Sequence, residues 1–172
     1  MKDTRKITFA ALFAALTCAA TMVIRIPTFS TGGYIHLRDA LVILSGIFLG
    51  PVYGGLAAGI GSAMSDLLGG YFFYVPATFL IKGAIAFLTG KALQFLKARR
   101  KNVWMGILAG GILDMALVVL GYGFYEAILY GLPAAVASAF PNLIQGVGGL
   151  VLSFALYPVL SAIPNIFAVY RR

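Results

Sequence analysis

The stretch LRDALVILSGIFLGPVYGGLAAGIGSAMSDLL, Leu37–Leu68, decides the fold class. Between Asp39 and Asp66 it carries no charged side chain, and Gly50-Pro51 interrupts it near the middle. Proline removes a backbone N–H and crowds the preceding turn, while glycine tolerates the dihedrals of a sharp bend. The run therefore divides into two helices, Leu37–Leu49 and Val52–Leu68, with a re-entrant pair as the alternative. Either way, so long an apolar run needs a solvent other than water.

The rest of the chain agrees. Of its 172 residues 61% are hydrophobic and only 10% charged, and mean hydropathy is +0.97. Soluble domains are about a quarter charged. The composition specifies an all-α integral membrane protein, and Cys18, the one cysteine, excludes a disulfide framework. A spanning helix needs about 20 apolar residues. Besides the two above, Thr4–Ile26, Pro76–Leu96, Val103–Tyr130 and Ala134–Ile163 qualify, so a single six-helix domain over residues 1–172 is expected. The basic start followed by an apolar run imitates a signal peptide, but the run is too long for one and reads as a retained first helix.

The net charge of +8 is no nucleic-acid footprint, because the basic residues sit in short clusters between apolar runs. Lys2, Arg5, Lys6, Lys97, Arg99, Arg100, Lys101, Arg171 and Arg172 fall on one side of a six-span topology, against Arg25 and Arg38 on the other. Basic loops stay in the cytoplasm, which places both termini there.

Ionisable groups within a membrane are costly and face a bundle interior or cavity. Mapped on this topology, Asp39, Asp66, Lys82, Glu126, Asn142 and Gln145 lie at similar depth under the outer surface. They describe a cup rimmed by the loop TFSTGGYIH, Thr28–His36. Glu126, Asn142 and Gln145 suit a small polar heterocycle: the amides would read its edge and the carboxylate would accept from a nitrogen. Tyr122, Tyr74, Phe72 and Phe73 would stack on the ring, with Lys82, Tyr34 and His36 as further contacts. Asp39 is expected to cap the second helix, Asp66 and Lys82 to form a structural ion pair, and Arg38 to face the headgroups. Asp114 lies near mid-membrane, where a structural role is expected. Small residues recur at four-residue spacing in Ala11, Ala15 and Ala19, beside Ala10 and Ala14, and among glycines from Gly46 to Gly110. Such stripes let helix backbones approach, inside one bundle or against another subunit. No metal cluster, phosphate loop or nucleophile–base pair is present in the sequence, so no resident cofactor and no enzyme activity are expected.

The segment GYIHLRDALVILSGIFLGPVYGGLAAGIGSAMSDLLGGYFFYVPATFLIKG, Gly33–Gly83, resembles the core motif of the substrate-binding (S) components of energy-coupling factor (ECF) transporters. The match is to the riboflavin-type branch, which includes hydroxymethylpyrimidine and vitamin B6 carriers. Asp39-Ala40-Leu41, Leu49-Gly50-Pro51, Ser65-Asp66-Leu67-Leu68, Pro76 and Lys82-Gly83 carry the likeness. The resemblance implies a vitamin-capture subunit in a bacterial cell membrane, working with a transmembrane coupling subunit and two cytoplasmic ATPases that use the ATP. It implies docking through Ala10, Ala11, Ala14, Ala15 and Ala19, a lid at about Thr28–His36, and toppling of the loaded subunit. Hydroxymethylpyrimidine is the expected substrate, ahead of pyridoxine and riboflavin. Two other readings stay open: a self-sufficient ion-coupled transporter using Asp66, Lys82 or Asp114, and a structural subunit of a membrane complex.

Overall fold

The computed structural model describes residues 2–23, 25–27 and 34–163, with side chains for 4–23 and 37–163. The chain runs α1 (Lys2–Val23), β1 (Arg25–Pro27), β2 (Tyr34–His36), α2 (Arg38–Leu68), a 3-10 turn (Phe72–Tyr74), α3 (Val75–Ala98), α4 (Val103–Tyr130) and α5 (Leu132–Ser161). All five α-helices are long and apolar enough to cross a membrane.

α2 is not straight. At Gly50 the backbone takes φ 78° and ψ −176°, which L side chains rarely adopt, and Pro51 follows where a helix can begin again. The Ser45 hydroxyl lies 2.7 Å from the Val42 carbonyl and 3.1 Å from that of Gly54. Nine residues of straight helix would separate Ser45 and Gly54 by about 13.5 Å. The two arms therefore fold back on each other, and Gly90 of α3 sits on the bend, where a methyl group would come within 2.6 Å of the Pro51 nitrogen.

This hairpin refines the expectation for Leu37–Leu49. The first arm, Arg38–Leu49, is about 18 Å long by residue count, short of the roughly 30 Å of a hydrocarbon core. Counting back from the Ser45–Gly54 contact sets Arg38 opposite Gly61, about 10 Å below the end of the second arm at Leu68. α2 thus begins inside the bundle rather than at its rim. The entering chain is the antiparallel β1–β2 pair, with Arg25 opposite His36 and Pro27 opposite Tyr34. That pair also explains why α1 stops at Val23 and not at Ile26: a residue before proline is pushed out of helical geometry.

Burial of apolar surface gains little where the solvent is itself apolar, so close packing has to hold such a bundle together. α2 lies at the centre, its first arm wholly buried. A methyl group on Gly46 would strike the Ala86 carbonyl of α3, and one on Gly61 would strike the Ala14 carbonyl of α1. Phe13, Ile43, Leu44, Phe48, Leu93 and Ile107 fill the space between the helices. Toward the basic end of α3, Phe48 stacks on Tyr157 at 5.6 Å and Trp104 on Phe154 at 5.6 Å. The described glycines that meet a neighbour are therefore packing contacts within the bundle. The alanines of α1 divide: Ala10 and Ala14 pack against the core, whereas Ala11, Ala15 and Ala19 are exposed.

Candidate functional site

Asp3, Asp39, Asp66, Asp114 and Glu126 are the five carboxylates of the chain, and the last four converge on one place. The hairpin of α2 is what brings them together. Because its first arm starts below the rim, Arg38 and Asp39 enter the bundle at the level of Lys82, two turns down α3, and of Asp114 on α4. Lys82 Nζ lies 2.6 Å from Asp39 Oδ1 and 3.5 Å from Asp114 Oδ1. Arg38 reaches toward the end of the second arm, with Nη1 3.1 Å from Asp66 Oδ1 and Nε 3.8 Å from Asp39 Oδ1. The result is an alternating row, Asp66–Arg38–Asp39–Lys82–Asp114, in which every charge has an opposite neighbour. Side chains of Asp39, Lys82 and Asp114 are completely buried, a position that only pairing makes tolerable.

Above this row lies a cavity of about 310 Å³. Asp66 and Arg38 form part of its wall, and Ser65, Thr78 and Tyr122 continue it. α4 and α5 contribute Glu126, Asn142 and Gln145, and Tyr71 and Tyr74 come from the turn before α3. Thr21 and Met22 close it from α1. Internal bonds fix most of these groups. Tyr122 and Thr78 share a hydrogen bond of 2.9 Å, and the Tyr74 hydroxyl donates to Glu126 Oε1 at 3.2 Å. Gln145 Nε2 donates to Asp39 Oδ2 at 2.6 Å, which turns the amide oxygen away from the ion row. Tyr74 and Tyr122 stand 6.3 Å apart with planes tilted by 47°.

Two groups on the wall remain without a protein partner. Glu126 Oε2 and Asn142 Nδ2 are buried atoms with no hydrogen bond among the described residues. Orphaned polar atoms of this kind are rare in folded proteins because each forfeits its hydration. Glu126 and Asn142 both line the cavity, so an unpaired acceptor and an unpaired donor belong to its wall beside aromatic rings, which suits a ligand that both donates and accepts.

Glu126, Asn142, Gln145, Tyr122 and Tyr74 share this cavity. Lys82 does not line it; fully buried, it lies in the ion row. Its partners are Asp39 and Asp114, and the expected Asp66–Lys82 pair gives way to Asp66–Arg38. Arg38 is 8% exposed and does not face headgroups, because the sunken start of α2 carries it inward. Asp39 caps nothing: Leu37 holds the cap position without a side-chain bond, and the carboxylate turns to Lys82 and Gln145. Phe72 and Phe73 are 64% and 74% exposed and do not line the cavity, leaving Tyr74 and Tyr71 as its aromatics from that turn. The side chains of Tyr34 and His36, and loop residues 28–33, lie outside the described residues.

Arg38, Thr78 and Thr21 join the wall without being expected there. Thr21 has a legible signal, since Phe13, Thr17 and Thr21 recur every four residues and all three are buried on one face of α1. Each threonine hydroxyl bonds the carbonyl four residues back, which makes it acceptable in an apolar setting. Arg38 has none, because its burial follows from the depth of the hairpin.

Helices of membrane hydropathy around a ligand-sized cavity, lined by charged, amide and aromatic side chains, make it a candidate membrane-embedded site for a small molecule. Comparison with known proteins makes the class specific: a family model described as "ECF-type riboflavin transporter, S component" matches residues 1–162. The chain belongs to that family of transporter subunits, which are membrane proteins and not enzymes. An uncharacterized protein from the "gap 3'region" of Pyrococcus woesei is 34% identical over 142 residues, 81% of this chain and 90% of the relative. The "Thiamine precursor transporter HmpT" of Lactococcus lactis is 24% identical over 160 residues, 92% of this chain and 89% of that protein.

Proposed function

We propose that this chain captures a small nitrogen heterocycle, a vitamin or vitamin precursor, for an ATP-driven ECF uptake system. The observation that carries the reading is the pair of unpartnered groups, Glu126 Oε2 and Asn142 Nδ2, on one cavity between aromatic side chains. The ring lies against Tyr74 and Tyr122. Its exocyclic or protonated nitrogen donates to Glu126 and to the Gln145 amide oxygen, and its ring nitrogen accepts from Asn142. Hydroxymethylpyrimidine presents that pattern, and the similarity to a thiamine precursor transporter supports it. Pyridoxine and riboflavin are the next candidates.

In this reading the chain is a multi-pass protein of a bacterial cell membrane with both termini in the cytoplasm. The short first arm of α2 counts as the second of six membrane segments, and β1–β2 lies at the mouth of the site. A transmembrane coupling subunit docks on α1, where Ala11, Ala15 and Ala19 are exposed, and two ATPases supply the energy.

The test is binding by the purified chain without ATP. Native mass spectrometry looks for a retained molecule, and titration with hydroxymethylpyrimidine, pyridoxine and riboflavin ranks the candidates. Glu126→Ala and Asn142→Ala should each weaken binding about 10- to 100-fold, as expected for a lost charged or buried hydrogen bond. Unchanged affinity in both would remove them from the site. One observation favours a second reading, ion coupling: both Asp114 oxygens lack a hydrogen bond beside Lys82. Uptake into vesicles holding this chain alone, abolished by collapsing the proton gradient, would establish that mechanism instead.

A further inference from the structure

We propose that this cavity discriminates by charge: it takes the free alcohol form of its ring ligand, neutral or cationic, and rejects the phosphate monoester of the same molecule. The inference rests on the ring-binding reading above and goes beyond it to the ionic form selected. The formal charges around the cavity do not balance. Among the described residues, Asp39, Asp66, Asp114 and Glu126 face only Arg38 and Lys82, an excess of two negative charges. With one carboxyl protonated the excess is still negative.

A phosphate would need a cation, and among the described residues Arg38 is the one cationic side chain on the wall. Its charge is already engaged, by Asp66 at 3.1 Å and Asp39 at 3.8 Å. Drawing the guanidinium away would leave Asp66 without its cation and take from the fully buried Asp39 one of the two cations beside it. Lys82 is sealed between Asp39 and Asp114 and is not on the wall. Glu126, whose Oε2 is an unpaired acceptor, lines the same cavity. A monoester carries a charge of about −1.5 to −2 at neutral pH. Held about 8 Å from one uncompensated carboxylate, at an effective dielectric constant of about 20, a single negative charge loses roughly thirtyfold in affinity. With the monoester's larger charge, discrimination of at least about 100-fold is expected.

The experiment measures dissociation constants of the purified full chain for three pairs: hydroxymethylpyrimidine, pyridoxine and riboflavin, each against its own phosphate monoester. The O-acetyl ester of whichever alcohol binds serves as a bulky uncharged control. Expected is tight binding of one alcohol, retained binding of its acetyl ester, and at least about 100-fold weaker binding of its phosphate. In Asp66→Asn, which removes one negative charge and frees Arg38, the ratio of alcohol to phosphate affinity should narrow by about tenfold or more. A phosphate that binds wild type within threefold of its alcohol overturns the inference and leaves the ring-binding reading standing. Equal loss of phosphate and acetyl ester also overturns it, since size and not charge would then set the limit. The same holds for an unchanged ratio in folded Asp66→Asn, and if that variant does not fold, the three-way comparison on wild type decides alone. Failure of all three alcohols to bind breaks the ring-binding reading itself.

Discussion

The two halves of the bundle treat polar atoms in opposite ways. In the half toward Trp104 and Tyr157, hydroxyls are absorbed by their own helices. Thr89 donates to the Ile85 carbonyl, Ser153 to that of Gly149, and the remaining volume is glycine contact and stacked rings. In the half around Asp39, charges are gathered into a row and two polar groups on the wall are left unmet. In lipid a polar residue not needed for function could be replaced by an apolar one at little cost. The half that keeps unsatisfied groups is therefore where the proposed ligand is expected to bind. The ion row separates two kinds of polar residue. Its members each have an opposite charge beside them, whereas Glu126 Oε2 and Asn142 Nδ2 have no partner among the described residues.

That contrast can be broken most directly at its boundary. Lys82→Met would leave Asp39 and Asp114 facing each other without the shared ammonium. Breaking a buried pair by removing one partner costs about 3–5 kcal/mol. Thermal unfolding in detergent should show the variant strongly destabilised, and adding Asp39→Asn should restore part of the loss. A variant that melts with wild type would mean the row is hydrated, and the division between the two halves would fail.

The packed half should be next in sensitivity. Gly46→Val forces a side chain against the Ala86 backbone and should cost about 1–3 kcal/mol or more, as overpacking does. A methyl group added at Gly123 would meet nothing within 4 Å, so Gly123→Ala should be neutral or stabilising by up to about 1 kcal/mol. Opposite signs for two glycine substitutions in one melting experiment would show that the packing is local and not a general demand for small residues.

At the unmet groups the expected effect on stability reverses. Glu126→Ala removes a buried carboxylate whose Oε2 has no partner, so the fold should hold or gain slightly while affinity falls about 10- to 100-fold. Asn142→Ala should behave alike. A loss of stability comparable to that of Lys82→Met would place Glu126 among the structural charges.

How much of this was legible in the sequence depends on which distances matter. Helix existence was, because hydropathy and Gly50-Pro51 are local signals, and α4 ends where its pattern ends, at Val103 and Tyr130. Glu126, Asn142 and Gln145 could be grouped because helix rise converts residue number into depth. That conversion fails for Arg38 and Asp39, since it assumes every helix begins at the membrane surface. α2 begins about 10 Å lower, so a residue read as a headgroup anchor is a wall of the cavity, and one read as a cap holds Lys82. Pairing followed the same error: Asp66 and Lys82 are close in depth order, but Arg38 rises between them to take the aspartate.

The smallest effect on the isolated chain should come from the face of α1 that touches neither half. Ala14 and Ala15 are neighbours in sequence with different surroundings: Ala14 packs on the core beside Gly61, and Ala15 is exposed. Ala15→Leu should change stability by no more than about 0.5 kcal/mol and leave heterocycle binding unaltered, as surface substitutions do. Ala14→Leu should destabilise by about 1–3 kcal/mol, because α1 would have to move off α2. If the exposed ridge receives a coupling subunit, Ala15→Leu should abolish uptake in cells that contain the whole transporter while purified protein binds as before. The two variants together separate a ridge kept small for the bundle from one kept small for a partner. Loss of binding in Ala15→Leu would assign the ridge to the bundle, and full uptake in that variant would leave α1 without a docking role.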